Sequence, residues 1–134
     1  MLTDEGLELL TEAQCAELLR AASVGRVGVT INCLPVILPV NYTYADGDVL
    51  FRTGEGTKLD AATRGAIVAF EVDAYDADAH SGWSVLVIGR STVVDDPAEQ
   101  AQATRDVAPW AGGTRTNCVR LHPELVTGRR IVNT

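Results

Sequence analysis

The sequence lacks any apolar run approaching the roughly 20 residues that a membrane-spanning helix needs. It also lacks repeats and low-complexity tracts, which excludes solenoid and propeller architectures. The first ten residues, MLTDEGLELL, are acidic and show neither the basic nor the apolar region of a secretory signal. We therefore expect a single domain over residues 1–134 that is cytoplasmic and does not associate with membranes.

Basic residues are scarce. The chain has 11 of them against 18 acidic residues, a formal charge of −7. Such a surface repels phosphate backbones, so we expect no nucleic-acid partner. A local group of cations can still bind a small anion, because salt screens distant charge beyond about 10 Å.

Cysteine and histidine are also few and widely spaced. Cys15, Cys33 and Cys118 form no CxxC pair, which argues against a disulfide framework and a zinc site. His80 and His122 fit neither a nucleophile elbow nor an HExxH motif. We predict buried structural roles for Cys15 and Cys118, solvated loop or edge positions for both histidines, and no metal site.

The patterns that are present indicate a mainly β protein with peripheral helices. Thr11 and Gln14 have capping-box spacing before an amphipathic helix. Asn32-Cys33 and Asp46-Gly47 are predicted hairpin turns, the second with the stronger signal. The segment TNCVRLHPELVTGRRI suggests two short strands around Pro123. About six antiparallel strands with three short helices predict a partly open barrel.

One segment, FRTGEGTKLDAAT, combines cations, glycines and threonines at the predicted junction of a strand and a short helix. It matches neither GxxxxGK[ST] nor GxGxxG. Arg52 and Lys58 supply charge, and Thr53 and Thr57 flank a glycine-rich bend at a helix start, which together suit a phosphate monoester. The alternative is an ordinary turn with Thr57 as N-cap. The residues alone favour the two interpretations equally.

Five motifs occur in an order that carries a family resemblance: VGRVGVT, LPVNYTY, VLFRTGEGTKLDAA, VAFEVD and GWSVLVIGRSTVV. In this order they resemble the small pyridoxamine 5′-phosphate oxidase-like flavin-binding proteins, including the nitroimidazole-resistance-like branch. The resemblance implies a split β-barrel that forms a homodimer, with flavin mononucleotide (FMN) in clefts at the subunit interface.

The resemblance also assigns residues. It implies that Arg52, Thr53, Thr57 and Lys58 hold the FMN phosphate. It also implies that seven residues lie on the ring side of the cleft, four from the PVNY strand and three from elsewhere. They are Pro39, Val40, Asn41, Tyr42, Trp83, Ser84 and Trp110. Trp83 also has an alternative role as a core anchor, and Trp110 as a contact with the partner subunit.

The implied function is an oxidoreductase that passes reducing equivalents from bound FMN to oxygen or a small organic acceptor. The C-terminal segment VRLHPELVTGRRI does not match the substrate-binding elements of the full vitamin B6 oxidase, so that specific activity is not expected. The open alternatives are a flavin storage protein without turnover and a barrel that binds the deazaflavin F420 or haem.

Overall fold

The computed structural model describes residues 6–106 and 116–131. Seven strands and three helices occur in these residues. The strands are β1 (Leu7–Leu9), β2 (Val24–Ile31), β3 (Leu34–Ala45), β4 (Asp48–Gly54), β5 (Ile67–Asp76), β6 (Ser81–Val93) and β7 (Thr116–Ile131). The helices are α1 (Glu12–Ala21), α2 (Lys58–Ala62) and α3 (Pro97–Asp106).

Six of the strands form one closed antiparallel barrel. The order is β7-β4-β3-β2-β5-β6, and a further pairing of β6 with β7 closes the ring, while β1 pairs with β7 outside it. The prediction of a mainly β barrel with about six strands and three short helices is confirmed. The barrel is closed where the sequence suggested a partly open one.

Local sequence accounts for the connections. Thr11 and Gln14 form the predicted capping box at the start of α1. Asn32 and Cys33 both have positive φ, as a two-residue type I′ hairpin turn requires, and Asp46-Gly47 makes the second predicted hairpin. Helix α2 has Thr57 as its N-cap.

The prediction of two strands around Pro123 is wrong, because β7 is continuous from Thr116 to Ile131. Its pairing with β6 shifts by one residue, so that Ile88 faces Leu125 and Gly89 faces Pro123. A bulge tolerates a residue without an N–H, which explains why Pro123 does not end the strand. Gly89 is needed opposite the bulge, since a Cβ there would lie 2.0 Å from the carbonyl oxygen of His122.

The core lies inside the barrel and is formed by residues that alternate along each strand. Phe51, Phe70 and Leu121 are fully buried. Tyr42 packs edge-on against Phe70, with 4.7 Å between the ring centroids, and its hydroxyl donates to the carbonyl oxygen of Leu19 at 2.6 Å. Helix α1 therefore attaches to the barrel through both packing and a buried hydrogen bond.

Cys15 and Cys118 are buried, as predicted, while Cys33 is exposed. None of the described helices has the length and apolar character to cross a bilayer.

Candidate functional site

The turn between β4 and α2 is built around a buried carboxylate. Asp60 is only 3% exposed. Its Oδ1 accepts hydrogen bonds from Thr53 Oγ1 and Asn117 Nδ2, both at 2.8 Å. Its Oδ2 accepts from the Gly56 N–H at 3.1 Å and from Arg64 Nη2 at 3.3 Å. We call these five residues the barrel-end network.

The network determines the charge state of Asp60. Burial alone would raise the pKa of this carboxyl, but the hydrogen bonds from Asn117, Thr53, Gly56 and Arg64 outweigh it and hold the pKa at about 2. Asp60 is therefore a permanent anion at neutral pH. It fixes the shape of the turn before any ligand arrives.

Both threonine hydroxyls of the predicted phosphate site have partners within the turn. Thr53 is buried and donates to Asp60. Thr57 Oγ1 accepts from the Asp60 N–H at 3.1 Å and donates to the Gly54 carbonyl oxygen at 2.8 Å. The family resemblance assigned these hydroxyls to an external anion, while the residues alone equally allowed Thr57 as an N-cap, which the structure shows. Asp60 was not considered, although an acidic residue at the third position of a short helix often accepts from the preceding turn.

The two cations of the segment point away from this network. Strand residues alternate between faces, so Arg52 lies on the outer face of the barrel between inward-facing Phe51 and Thr53. Lys58 is exposed at the first residue of α2, and it is the single lysine of the sequence. Gly56 has φ +78°, with open space around it. Both cations thus lie away from Asp60, with Lys58 exposed and Arg52 partly buried.

The PVNY strand divides its side chains between the two faces. Val40 and Tyr42 are buried inside the barrel, whereas Pro39 is exposed and Asn41 is partly exposed. Tyr42 pairs with Phe51, so Asn41 and Arg52 lie next to this pair on neighbouring strands and share the outer face. The structure brings Arg52, Asn41 and Pro39 together on that face and directs Val40 and Tyr42 into the core.

Trp83 and Ser84 border a surface cavity of about 490 Å³. The cavity reaches from β2 across β5 and β6 to the C-terminal end of β7. Trp83 also packs against the core, which agrees with its alternative role as a core anchor, while its contact with a flavin stays a prediction. The cavity is also lined by Arg26, Glu71, Asp73, Tyr75 and Arg129.

Three charged residues of this cavity were not predicted from the sequence. Arg26 Nη1 donates to Glu71 Oε1 at 3.2 Å and to Asp73 Oδ2 at 3.1 Å. Glu71 and Asp73 alternate with buried residues on β5, which places both on the outer face, and Glu71 pairs directly with Arg26 of β2. The signal for these residues in the sequence was the placement of two acidic residues on one face of an otherwise apolar strand. Their partner, Arg26, lies 45 residues from Glu71 and 47 residues from Asp73 in sequence, so the two ion pairs left no signal in the sequence.

Arg26 also connects the cavity with the PVNY strand. It pairs with Pro39 on one side and with Glu71 on the other. Arg52 on β4 and Arg26 on β2 are two strand spacings apart, which is about 10 Å across the sheet. The cations at the turn and the cavity therefore lie on one continuous outer surface.

Burial raises the pKa of Glu71 to about 7, with further contributions from the hydrogen bond and the charge of Asp73, while Arg26 acts in the opposite direction. A carboxyl group in this condition exchanges protons near neutral pH.

The remaining candidates lie elsewhere or outside the described residues. Trp110 belongs to the undescribed segment 107–115. His80 occupies the exposed turn between β5 and β6, and His122 is exposed on β7 at 2.8 Å from Asp48 Oδ1. Within residues 6–106 and 116–131 no group of potential ligands has the arrangement of a metal site.

The chain is similar to several known proteins. The uncharacterised protein Rv0080 of Mycobacterium tuberculosis is 39% identical over 128 residues, which cover 92% of this chain and 84% of the relative. The FAD binding protein of Mycobacterium smegmatis is 38% identical, with a TM-score of 0.80 over 93% of this chain and all of that one. A conserved protein of unknown function from Corynebacterium diphtheriae is 31% identical, with a TM-score of 0.78 over 95% of this chain and 99% of that one.

A sequence profile of one family matches nearly the whole chain. It is described as pyridoxamine 5′-phosphate oxidase, and the match extends over residues 11–130. The assignment to the nitroimidazole-resistance-like branch within that family stays a prediction. With the closed barrel and these relatives, the match shows that the chain belongs to the pyridoxamine 5′-phosphate oxidase family.

Proposed function

We propose that the protein is a flavin-binding oxidoreductase that passes reducing equivalents to oxygen or a small organic acceptor. The observation that carries the proposal is the continuous outer surface from the cations Arg52 and Lys58, past Asn41, to the cavity beside Trp83 and Ser84. A flavin nucleotide combines an anionic phosphate with a flat, largely apolar ring, and this surface offers a complementary region for each.

In this proposal Arg52 and Lys58 hold the phosphate. Arg52 supplies a planar, two-pronged donor and Lys58 a mobile point charge. Thr53 and Thr57 act indirectly, because their hydroxyls hold the turn to Asp60 and Gly54. The bound flavin supplies the electron chemistry, and the protein positions the ring and sets its electrostatic surroundings.

The ring lies in the cavity in this proposal, against Trp83 and Ser84, with Trp83 as an apolar wall. Pro39 and Asn41 lie on the same outer face, between the cavity and Arg52. Val40 and Tyr42 contribute by fixing the strand from inside the barrel. Whether one subunit or two complete the ring site depends on the homodimer, which is also part of the proposal. Trp110 stays a candidate contact of the partner subunit.

FMN and FAD are both candidates for the flavin. The family resemblance favours FMN, whereas the 38% identical relative from M. smegmatis is described as FAD binding. Both contain the phosphate that Arg52 and Lys58 would bind, so the site chemistry is shared.

The first experiment is the absorption spectrum of the purified protein, with chromatography of any ligand released on denaturation. If the protein is colourless, FMN, FAD, F420 and haem are added separately and binding is measured by titration. We expect tight uptake of a flavin. Uptake of F420 or haem alone, or of no ligand, would contradict the proposal. Binding of flavin without turnover of any donor and acceptor would favour the storage function.

Because Lys58 is the single lysine, it gives a direct test of the phosphate assignment. Amine-reactive labelling followed by mass spectrometry reports on Lys58 and on the N-terminal amine, which serves as internal control. Bound flavin should protect Lys58 at least tenfold and leave the N-terminal amine unprotected. Arg52→Ala and Lys58→Ala should each weaken flavin binding at least tenfold, whereas Arg20→Ala on α1 should not. Normal binding by both variants would refute the assignment.

A further inference from the structure

Arg26, Glu71 and Asp73, here called the Arg26 cluster, are two acidic residues around one basic residue. One guanidinium nitrogen, Nη1 of Arg26, contacts a carboxylate oxygen of each acid, at 3.2 Å and 3.1 Å. The acids are two residues apart on one face of β5. If both are ionised, the cluster carries one uncompensated negative charge.

The strands next to the Arg26 cluster bring one further charged residue to the cavity. On β6 the residues that pair with Glu71 and Asp73 are Leu86 and Ser84, and both are uncharged. On β2 the facing charge is Arg26 itself. From β7, Arg129 lines the far side of the cavity, opposite Ser84. Among the described residues, Arg26 is thus the one cation in ion-pair contact with either acid.

Two close carboxylates that share a single cation favour a state in which one of them keeps a proton. Glu71 is the better candidate, since burial and Asp73 both raise its pKa, to about 7. Asp73 and Glu71 are each about two-thirds buried, so solvent screens their interaction incompletely.

The cluster also borders the cavity proposed to receive the flavin ring. Glu71 and Asp73 line it together with Trp83 and Tyr75. A charge that develops in this cavity therefore acts on Glu71 through a region of reduced dielectric constant.

We propose that Glu71, linked to Asp73 through Arg26, takes up one proton from solvent when a redox-active ring in this cavity is reduced. This inference rests on the proposed flavin site. Two-electron reduction of a flavin to its anionic form adds two electrons and one proton to the ring, so the ring gains one negative charge. Above about pH 7, where Glu71 is mostly ionised while the ring is oxidised, that charge raises the proton affinity of Glu71, whose carboxylate takes up one proton from solvent and becomes a neutral carboxylic acid.

The proton balance predicts the pH dependence of the flavin midpoint potential. One additional proton per two electrons changes the reduction equilibrium tenfold per pH unit, which is about 30 mV for a two-electron couple. Above about pH 7 the potential of the wild-type protein should fall more steeply than that of Glu71→Gln by this amount. Asp73→Asn should move the steep region to lower pH, because it removes the neighbouring negative charge.

The experiment is a spectroelectrochemical titration of the flavin-loaded protein and its variants. Glu17→Gln is the matched control, since Glu17 is exposed on α1 and should leave the slope unchanged. Flavin retention is scored first, so that failure of the proposed function is separated from failure of this inference. Equal slopes for wild type and Glu71→Gln, with flavin bound to both, would overturn the inference.

A second measurement needs no cofactor. In flavin-free protein labelled with carboxyl-¹³C glutamate, one resonance should titrate near neutral pH and be missing in Glu71→Gln. The same resonance should persist in Glu17→Gln. If every glutamate titrates in the ordinary acidic range, Glu71 holds no proton at neutral pH and the inference fails.

Discussion

Thr53 Oγ1 donates a 2.8 Å hydrogen bond to Asp60 Oδ1 inside the end of the barrel. This contact, with those from Gly56 and Asn117, ties the turn between β4 and α2 to a carboxylate of the protein itself. The buried carboxylate neutralises the inward-facing donors of the turn, while Arg52 and Lys58 face outward. A phosphate would therefore bind to a turn that is already shaped.

The first prediction concerns Asp60→Asn. The amide that replaces the carboxylate has one oxygen that accepts hydrogen bonds and one nitrogen that only donates them. At least one donor of the barrel-end network therefore faces the amide nitrogen and loses its acceptor. We expect the free energy of unfolding at pH 7 to fall by about 2–4 kcal/mol. Urea denaturation measures it, and Asp78→Asn in the exposed turn before β6 is the control.

The difference in stability between wild type and Asp60→Asn has a predictable pH dependence. The folded pKa of Asp60 is about 2, below its usual value of 3.8, so the stabilisation is complete above pH 4 and is lost as the pH falls toward 2. The difference between wild type and Asp60→Asn should therefore shrink in acid. A constant difference from pH 7 to pH 2.5 would show that the charge of Asp60 contributes nothing.

A second prediction separates the two faces of the PVNY strand. Tyr42→Phe removes the buried 2.6 Å hydrogen bond to Leu19 and should cost about 1–2 kcal/mol of stability, with flavin affinity unchanged. Asn41→Ala should lower flavin affinity several-fold with little effect on stability. Thermal unfolding and flavin titration on both variants test this. If Tyr42→Phe weakened flavin binding and Asn41→Ala did not, the proposed position of the ring on the outer face would be wrong.

The sequence predicted what depends on short-range patterns. Thr11 and Gln14 identified the helix cap, and Asn32-Cys33 and Asp46-Gly47 identified the hairpins, because the signals are a few residues apart. It missed β1, since Leu7–Leu9 forms a strand only by pairing with β7 at the other end of the chain.

The candidate site shows the same limit. The cations Arg52 and Lys58 were recognisable from the sequence, but the inward direction of Thr53 and Tyr42 depended on strand register. The Arg26 cluster combines residues from β2 and β5, and the closure of the barrel is what brings its cavity to the end of β7. No local pattern contains that information.

A third prediction tests the homodimer. Ile37 and Ile67 on the outer face are 72% and 52% exposed, and Leu34 at the adjoining hairpin is 65% exposed. Apolar side chains grouped in this way are typical of a protein interface. Ile37→Glu should shift the protein from dimer to monomer in light scattering after size exclusion, while Ala13→Glu on exposed α1 should not. A wild-type monomer at micromolar concentration would contradict the proposal.

The last prediction concerns Glu71 and stability. Its folded pKa of about 7 lies above the ordinary 4.5, which is the reverse of the usual case for a carboxyl group. The unfolded chain therefore releases this proton first, and folding becomes less favourable as the pH rises from about 4.5 to 7. Glu71→Gln removes the penalty because the amide cannot ionise.

Since a third of the Glu71 side chain is exposed, solvent screening reduces the effect. We expect Glu71→Gln to be more stable than wild type by about 1 kcal/mol at pH 8 and equal to it at pH 5. Chemical denaturation at the two pH values measures the difference, with Glu17→Gln as control. A variant that is less stable than wild type at pH 8 would mean that the ion pair with Arg26 outweighs burial and Asp73, and that Glu71 is ionised at neutral pH.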